Sequence, residues 1–312
     1  MTDSRIAAEP GYVPWSPLPF RPPLRWPDDH RVALVVLVHL EHVEWLPPPG
    51  TVAPRSVVHR PPYPDHPDVH EVTPHEYGNR VGVFRVMEVL DALGIPATVA
   101  MDAEIARYYP FLVQQCLARD WELIGHAPTG SRLLTELMGE DEERAYLEKS
   151  LSAVEDAQGA PARGWAGLDY GESSRTVRLL AEMGVDYVFD WPNDEQPYDM
   201  TVPTGRLTSL PVSIHLDDQR AHQRGVAVSR WSQMVTEAYD QLHVDGAASG
   251  RLLVLGVHPW ITGQPFRIRH LREALAHIVG GGGVWAARGG DIVDWARAHG
   301  PEQRPVESDV NA

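Results

Sequence analysis

The sequence predicts an α/β fold in which a parallel sheet curls into a (β/α) barrel, and three observations predict it. Strand-like and helix-like segments alternate almost throughout the 312 residues, the signature of a parallel sheet with crossover helices. The first strand segment, Arg31 to Val38, is one continuous run rich in β-branched residues, as expected of a strand buried on both faces. About seven or eight such units follow one another in a single chain, which favours closure into a barrel over the alternative, an open doubly wound sheet.

The elements follow in order. Residues 1–28 carry prolines at 10, 14, 17, 19, 22, 23 and 27 and read as an extended arm along a surface, because proline cannot donate to a ladder. A single domain then runs from 29 to 300. After the first strand, residues 46–76 form a second proline-rich stretch containing His59, His66, His70 and His75, long enough for a lid or binding loop. Helices are expected at about Asn79–Leu93, stopping at Gly94, and at Ile105–Arg119, Asp141–Ala157, Ser173–Met183, Ser229–Leu242, Ile268–Val279 and Asp291–Ala298. Strands are expected after Gly94, at Trp121–Gly125, Ala162–Ala166 and Asp186–Phe189, near Pro211, and at Leu252–Val257 and Val284–Ala286. The tail from Pro301 to Ala312 reads as disordered.

Composition excludes several classes of function. The formal net charge is −16 with no long basic stripe, which argues against nucleic acid or an anionic membrane as partner. The lone cysteine, Cys116, rules out a disulfide within the chain and sits in an apolar pattern that suits a buried core thiol. Met1 to Pro23 has no apolar signal core and the longest apolar run is too short to cross a bilayer, so a cytoplasmic location is expected. Gly280–Gly283 lacks the Lys-Ser/Thr of a phosphate loop, and no dinucleotide fingerprint is present. The acidic start of the third expected helix, Glu140–Glu143, suits a helix N-terminus.

In a barrel the reacting groups gather at the carboxyl ends of the strands. The first strand ends in His39-Leu-Glu41-His42, and residues two apart share a face, so His39 and Glu41 point the same way. Trp121–Gly125 is followed by His126, and Leu252–Val257 by His258-Pro-Trp260. Three separate strands thus end in histidine, and His215-Leu-Asp217-Asp218 brings carboxylates from a fourth strand end. Imidazoles and carboxylates gathered in one pocket bind a metal or move protons.

These pieces, in this order, resemble the polysaccharide deacetylase (NodB-type) superfamily, in the branch of metal-independent allantoinases, cyclic imide hydrolases and peptidoglycan-deacetylase-like proteins. The resemblance is carried between Arg25 and Trp295 by Arg25-Trp-Pro, Val38-His-Leu-Glu41, His75-Glu-Tyr-Gly-Asn-Arg-Val-Gly-Val-Phe-Arg85, Gly94-Ile-Pro-Ala-Thr, Glu122-Leu-Ile-Gly-His126, Gly164-Trp165, Glu195-Gln-Pro-Tyr198, Leu210-Pro-Val-Ser, Leu216-Asp-Asp218, Gly256-Val-His258-Pro-Trp260 and Gly283-Val-Trp-Ala-Ala-Arg288. It implies a distorted (β/α) barrel of the NodB type, with about seven strands. It also implies hydrolysis of a C–N bond other than a peptide bond, and assembly as a dimer or tetramer.

The sequence departs from the family at three positions. His126 matches the first histidine of the family's His-x-x-x-His motif, but Gly130 stands at the second. His39 replaces an aspartate, and Ala166 stands where many relatives carry arginine. The expected cofactor is therefore none or one divalent metal, zinc first, with Glu41, His126 and His39 as its ligands, and His42 or a loop histidine as a substitute. The expected activity is hydrolysis of a small amide, cyclic imide, ureide or N-acyl group. Glu41, His126, His258 and His39 are its expected catalytic residues, and Asn79, Arg80, Trp165, Asp218 and Trp260 its substrate-binding ones. A ligand-binding relative without activity, or a lyase or isomerase, are the alternatives.

Overall fold

A computed structural model describes residues 11–13, 15–54 and 69–300. The expectations for residues 1–10, for His59 and His66, and for the tail from 301 fall outside the described residues. One sheet of nine strands organises the molecule: β1 (Val32–Leu40), β2 (Ala97–Met101), β3 (Glu122–Gly125), β4 (Gly164–Trp165), β5 (Tyr187–Val188), β6 (Tyr198–Asp199), β7 (Thr208–Ser209), β8 (Arg251–Val257) and β9 (Val284–Ala286). Its spatial order is β6-β7-β5-β4-β3-β2-β1-β8, with β9 beside β1. Every pairing is parallel except β6 with β7.

The sheet curls into a distorted barrel. Between β8 and the segments flanking β6 and β7, two single hydrogen bonds stand in for a ladder, Leu252 N to Glu195 O at 2.8 Å and Ser213 N to Val254 O at 3.3 Å. The strand not expected from the sequence is β6, a two-residue antiparallel return; Val284–Ala286 is present as expected, at the foot of β1.

The alternation of β1 explains its continuous apolar run. Ala33, Val35 and Leu37 face the barrel interior with Ile124, Ala166, Leu252 and Val254. Val32, Leu34, Val36, Val38 and Leu40 face the outer helices. Both faces are buried, so both are apolar. The end of the proline-rich arm joins this interior: Leu24 and Trp26 are buried there, and the Trp26 indole donates to Arg251 O at 2.8 Å.

The helices are α1 (Val69–Tyr77), α2 (Val83–Leu93), α3 (Ala103–Tyr108), α4 (Pro110–Leu117), α5 (Glu140–Gln158), α6 (Thr176–Glu182), α7 (Asp218–Gln223), α8 (Val228–Asp245), α9 (Pro259–Thr262), α10 (Ile268–Gly280) and α11 (Gly289–His299). α7 and α9 were not expected from the sequence, and two further departures have their reason in proline. The helix expected over Ile105–Arg119 is two helices, because Pro110 lacks an N–H and holds Tyr109 at φ −128, ψ 51, outside the helical region. The described end of the proline-rich stretch, from Val69, is helical: α1 carries Pro74 inside it, and the Thr73 hydroxyl donates to the Val69 carbonyl at 2.6 Å. A π-turn, Gly78–Gly82, joins α1 to α2, and Gly94 at φ 64 ends α2 as glycine caps commonly do. Cys116 is fully buried, and burial pushes its thiol up to about 12. No helix among the described residues is long and apolar enough to cross a membrane.

The π-turn lies hard against α9. A methyl group at Gly82 would sit 2.1 Å from the Pro259 carbonyl oxygen, a backbone atom with no room to rotate away. Gly82→Ala is expected to destabilise the fold by about 1–3 kcal/mol through overpacking, read as a lower urea midpoint at unchanged slope.

Candidate active site

Period-two alternation carries the interior face of the strands past their last rungs. Along β1 it runs Ala33, Val35, Leu37 and on to His39 and Glu41. From β3 it passes Ile124 to His126, and from β8 it passes Leu252 and Val254 to His258. Val38 pairs with Val257, which sets His39 beside His258. Their rings stack with centroids 4.2 Å apart and planes 4° apart. The His126 ring meets His39 edge-on at 5.2 Å.

Glu41 lies at the centre and is buried. Its Oε1 is 3.5 Å from His126 Nε2 and 4.0 Å from His258 Nε2, and its Oε2 is 3.7 Å from His75 Nε2. Burial alone would raise its pKa. The His126 hydrogen bond and the charges of His258 and His75 outweigh that and hold Glu41 well below the usual carboxylate range.

The other ring nitrogens fix the tautomers. His126 Nδ1 is 2.5 Å from Ala166 O, and a carbonyl only accepts, so Nδ1 is the donor. The Asp218 carboxylate takes the Nδ1 proton of His258 at 2.7 Å, and its two oxygens accept from the His258 backbone N–H at 3.0 Å. Burial works against charge on His258, but Asp218, Asp217 and Glu41 push its pKa up to about 9. Asp217 caps α7 by accepting from Arg220 N at 2.8 Å, and it takes the Tyr170 hydroxyl at 2.8 Å. Burial raises Asp217, and the opposing charge of His258 works the other way.

The donor set fits a divalent ion. With Nδ1 tied to a carbonyl, His126 turns Nε2 to the Glu41 carboxylate at 3.5 Å, a place where a proton or a cation can be shared between them. Both ring nitrogens of buried His39 have no hydrogen-bond partner among the described residues. His39, Glu41 and His126 can bring one ligand atom each to within 4.8 Å of one another, as can His39, Asp217 and His258. A carbonyl that accepts the far ring N–H, as Ala166 O does for His126, is the usual outer support of a metal-ligating imidazole. Burial, reinforced by the neighbouring His258 and His126, lowers the pKa of His39 well below its ordinary value, which leaves the ring neutral and able to ligate.

The sequence-derived residues do not all converge. Asn79 is buried and donates to Glu41 O at 2.8 Å, so it holds the backbone of the site. Trp260 packs over His75, ring centroids 4.4 Å apart. Arg80 is exposed on the π-turn. Trp165 has the opposite parity to Ala166 and lies in the layer between the sheet and α5 and α6, against Tyr146. His42 also has the opposite parity to Glu41, and its ring lies against Tyr108 and Tyr109. A side chain at Gly130 would begin 3.1 Å from Glu41 Cβ, so that position does face the centre.

His75 and Tyr170 were not singled out for the site from sequence. The signal for His75 was its place at the head of the His75-Glu-Tyr-Gly-Asn-Arg segment. Tyr170 carried none.

A barrel with imidazoles and carboxylates packed at its carboxyl mouth is the architecture that the sequence resemblance implied. No family model matches the chain. It is 24% identical over 246 residues to a Schizosaccharomyces pombe protein assigned as a polysaccharide deacetylase, a match covering 72% of this chain and 75% of that protein. Among solved structures, an assigned polysaccharide deacetylase from Pseudomonas aeruginosa PAO1 superposes with a TM-score of 0.79 at 24% identity, covering 90% of this chain and 96% of the other. PuuE allantoinase superposes with a TM-score of 0.80 at 24% identity, covering 90% and 95%. These likenesses bear out the resemblance to the NodB-type superfamily and show its distorted barrel as the fold.

Proposed function

We propose that the protein is a hydrolase of a non-peptide C–N bond in a small amide, cyclic imide, ureide or N-acyl compound. The observation that carries this reading is Glu41, a buried carboxylate whose two oxygens face the ring nitrogens of His126, His258 and His75. Relatives of the same fold named as deacetylase and allantoinase support the reaction class.

The residues divide the work. His258 keeps a proton at neutral pH because Asp218 and Asp217 face it, and it delivers that proton to the leaving nitrogen. Asp218 fixes the ring through Nδ1 and leaves Nε2 as the donating atom. Glu41 supplies a fixed negative charge against which an attacking water is oriented. Asn79 and the buried walls around it exclude bulk water, which strengthens each of these interactions. His39, Glu41 and His126 would hold a divalent ion, zinc first, and the ion would polarise the carbonyl and acidify water.

The test is a turnover assay on cyclic imides, ureides, N-acyl amino acids and N-acetyl sugars, before and after chelation and zinc return. Turnover in one class, lowered about 10- to 100-fold in Asp218→Asn through loss of ring orientation, is the expected result. Binding without turnover in every class would make the chain a repurposed ligand-binding relative and overturn the reading.

A further inference from the structure

The segment that follows the long proline-rich connection reaches the site twice. Asn79 donates to the Glu41 backbone carbonyl at 2.8 Å, and His75 brings its Nε2 to 3.7 Å from Glu41 Oε2. Both side chains of the latter pair are nearly sealed from solvent, at 4% and 5% exposure. The His75 ring is backed by Trp260. The same segment is clamped to the strand end that carries His258: a methyl group at Gly78 would lie 2.7 Å from Trp260 N, and one at Gly82 would collide with Pro259 O. One stretch of chain therefore spans the ends of β1 and β8.

The two oxygens of Glu41 divide between neighbours, with Oε1 facing His126 and His258 and Oε2 facing His75. The last torsion of a glutamate is broad and roughly two-fold. A carboxylate gripped at one oxygen can therefore swing, whereas one gripped at both is fixed. Also beside Glu41, Gly130 offers no side chain, although a Cβ there would lie 3.1 Å from Glu41 Cβ.

We propose that His75 is a positioning residue that stands in for the imidazole missing at position 130, facing Glu41 Oε2 at ion-pair distance so that Oε1 stays turned toward His126 and His258. The integrity of the site then depends on the docking of α1, and so on the chain just after the proline-rich connection. The activity part of this inference rests on the hydrolase reading; the contact itself does not.

The test has two independent arms on the full-length protein. Ring-¹⁵N NMR of histidine-labelled protein identifies the His75 signal by its loss in His75→Ala, and that signal is expected to shift in Glu41→Gln. An unchanged signal overturns the proposal, and this arm needs no substrate, so it decides even if no compound is turned over. In the kinetic arm, His75→Ala is expected to lower kcat by roughly tenfold or more with little change in KM. Recovery is expected in His75→Gln, which restores a donor, or in His75→Ala combined with Gly130→His. Wild-type kcat in His75→Ala, or recovery in neither rescue variant, overturns the proposal. Should the Gly130→His chain fail to fold, His75→Gln decides alone.

Discussion

Glu41→Gln is expected to lower turnover by about 10²- to 10⁴-fold, the range typical of losing a positioned proton-transfer group or the charge it bears. The side chain keeps its length, so the barrel mouth keeps its shape and the change is one of charge. In the wild type the carboxylate is the only negative group facing both His126 Nε2 and His258 Nε2 among the described residues. A neutral amide gives an attacking water no anion to orient against and gives a divalent ion a poorer ligand. Turnover should fall whether or not an ion is present, and metal content per chain then distinguishes the two cases. Steady-state kinetics with a thermal melt on the same sample provides the check. A variant with wild-type kcat/KM would remove Glu41 from the chemistry.

Glu143→Ala is expected to be the most destabilising of these substitutions, by about 3–5 kcal/mol, because it dismantles a buried, charge-assisted network. Glu143 is fully buried on α5. It accepts from the Ser173 hydroxyl at 2.8 and 2.7 Å, from the Thr176 hydroxyl at 2.6 Å and from Arg175 Nε at 3.0 Å. These donors all lie at the entrance to α6, so the carboxylate ties the start of one helix to the start of another. Removing it strands two buried hydroxyls and opens a cavity, and each adds to the cost. Urea unfolding followed by circular dichroism reads the loss directly. A change below about 1 kcal/mol, the scale of an ordinary surface substitution, would show that solvent replaces the network without strain.

Much of the fold was legible in the sequence because its elements are strongly periodic. The continuous run at Val32–Val38, the alternating helices and the stop at Gly94 each report a local property of the chain. The parity of a strand is also local: His39 and Glu41 must share a face. The errors were local as well. Pro110 splits a helix that apolar periodicity alone would join, and Pro74 sits inside a helix where proline content suggested only loop. Trp165 belongs to a motif that points to the site, but its parity on β4 sends it outward.

By itself the sequence determined that the chain makes a parallel barrel, that three strands end in histidine and that the second histidine of the family motif is a glycine. Only the tertiary structure decided which groups meet at Glu41. His75 is 34 residues further along the chain than Glu41, on a helix beyond a connection whose path no pattern encodes, and Asp218 reaches His258 across 40 residues. Periodicity fixes the direction of a side chain relative to its own element. The distance between side chains on different elements depends on strand register, on the close approach of the π-turn to α9 and on the burial that makes a lone carboxylate seek imidazoles, and these exist only once the sheet has curled.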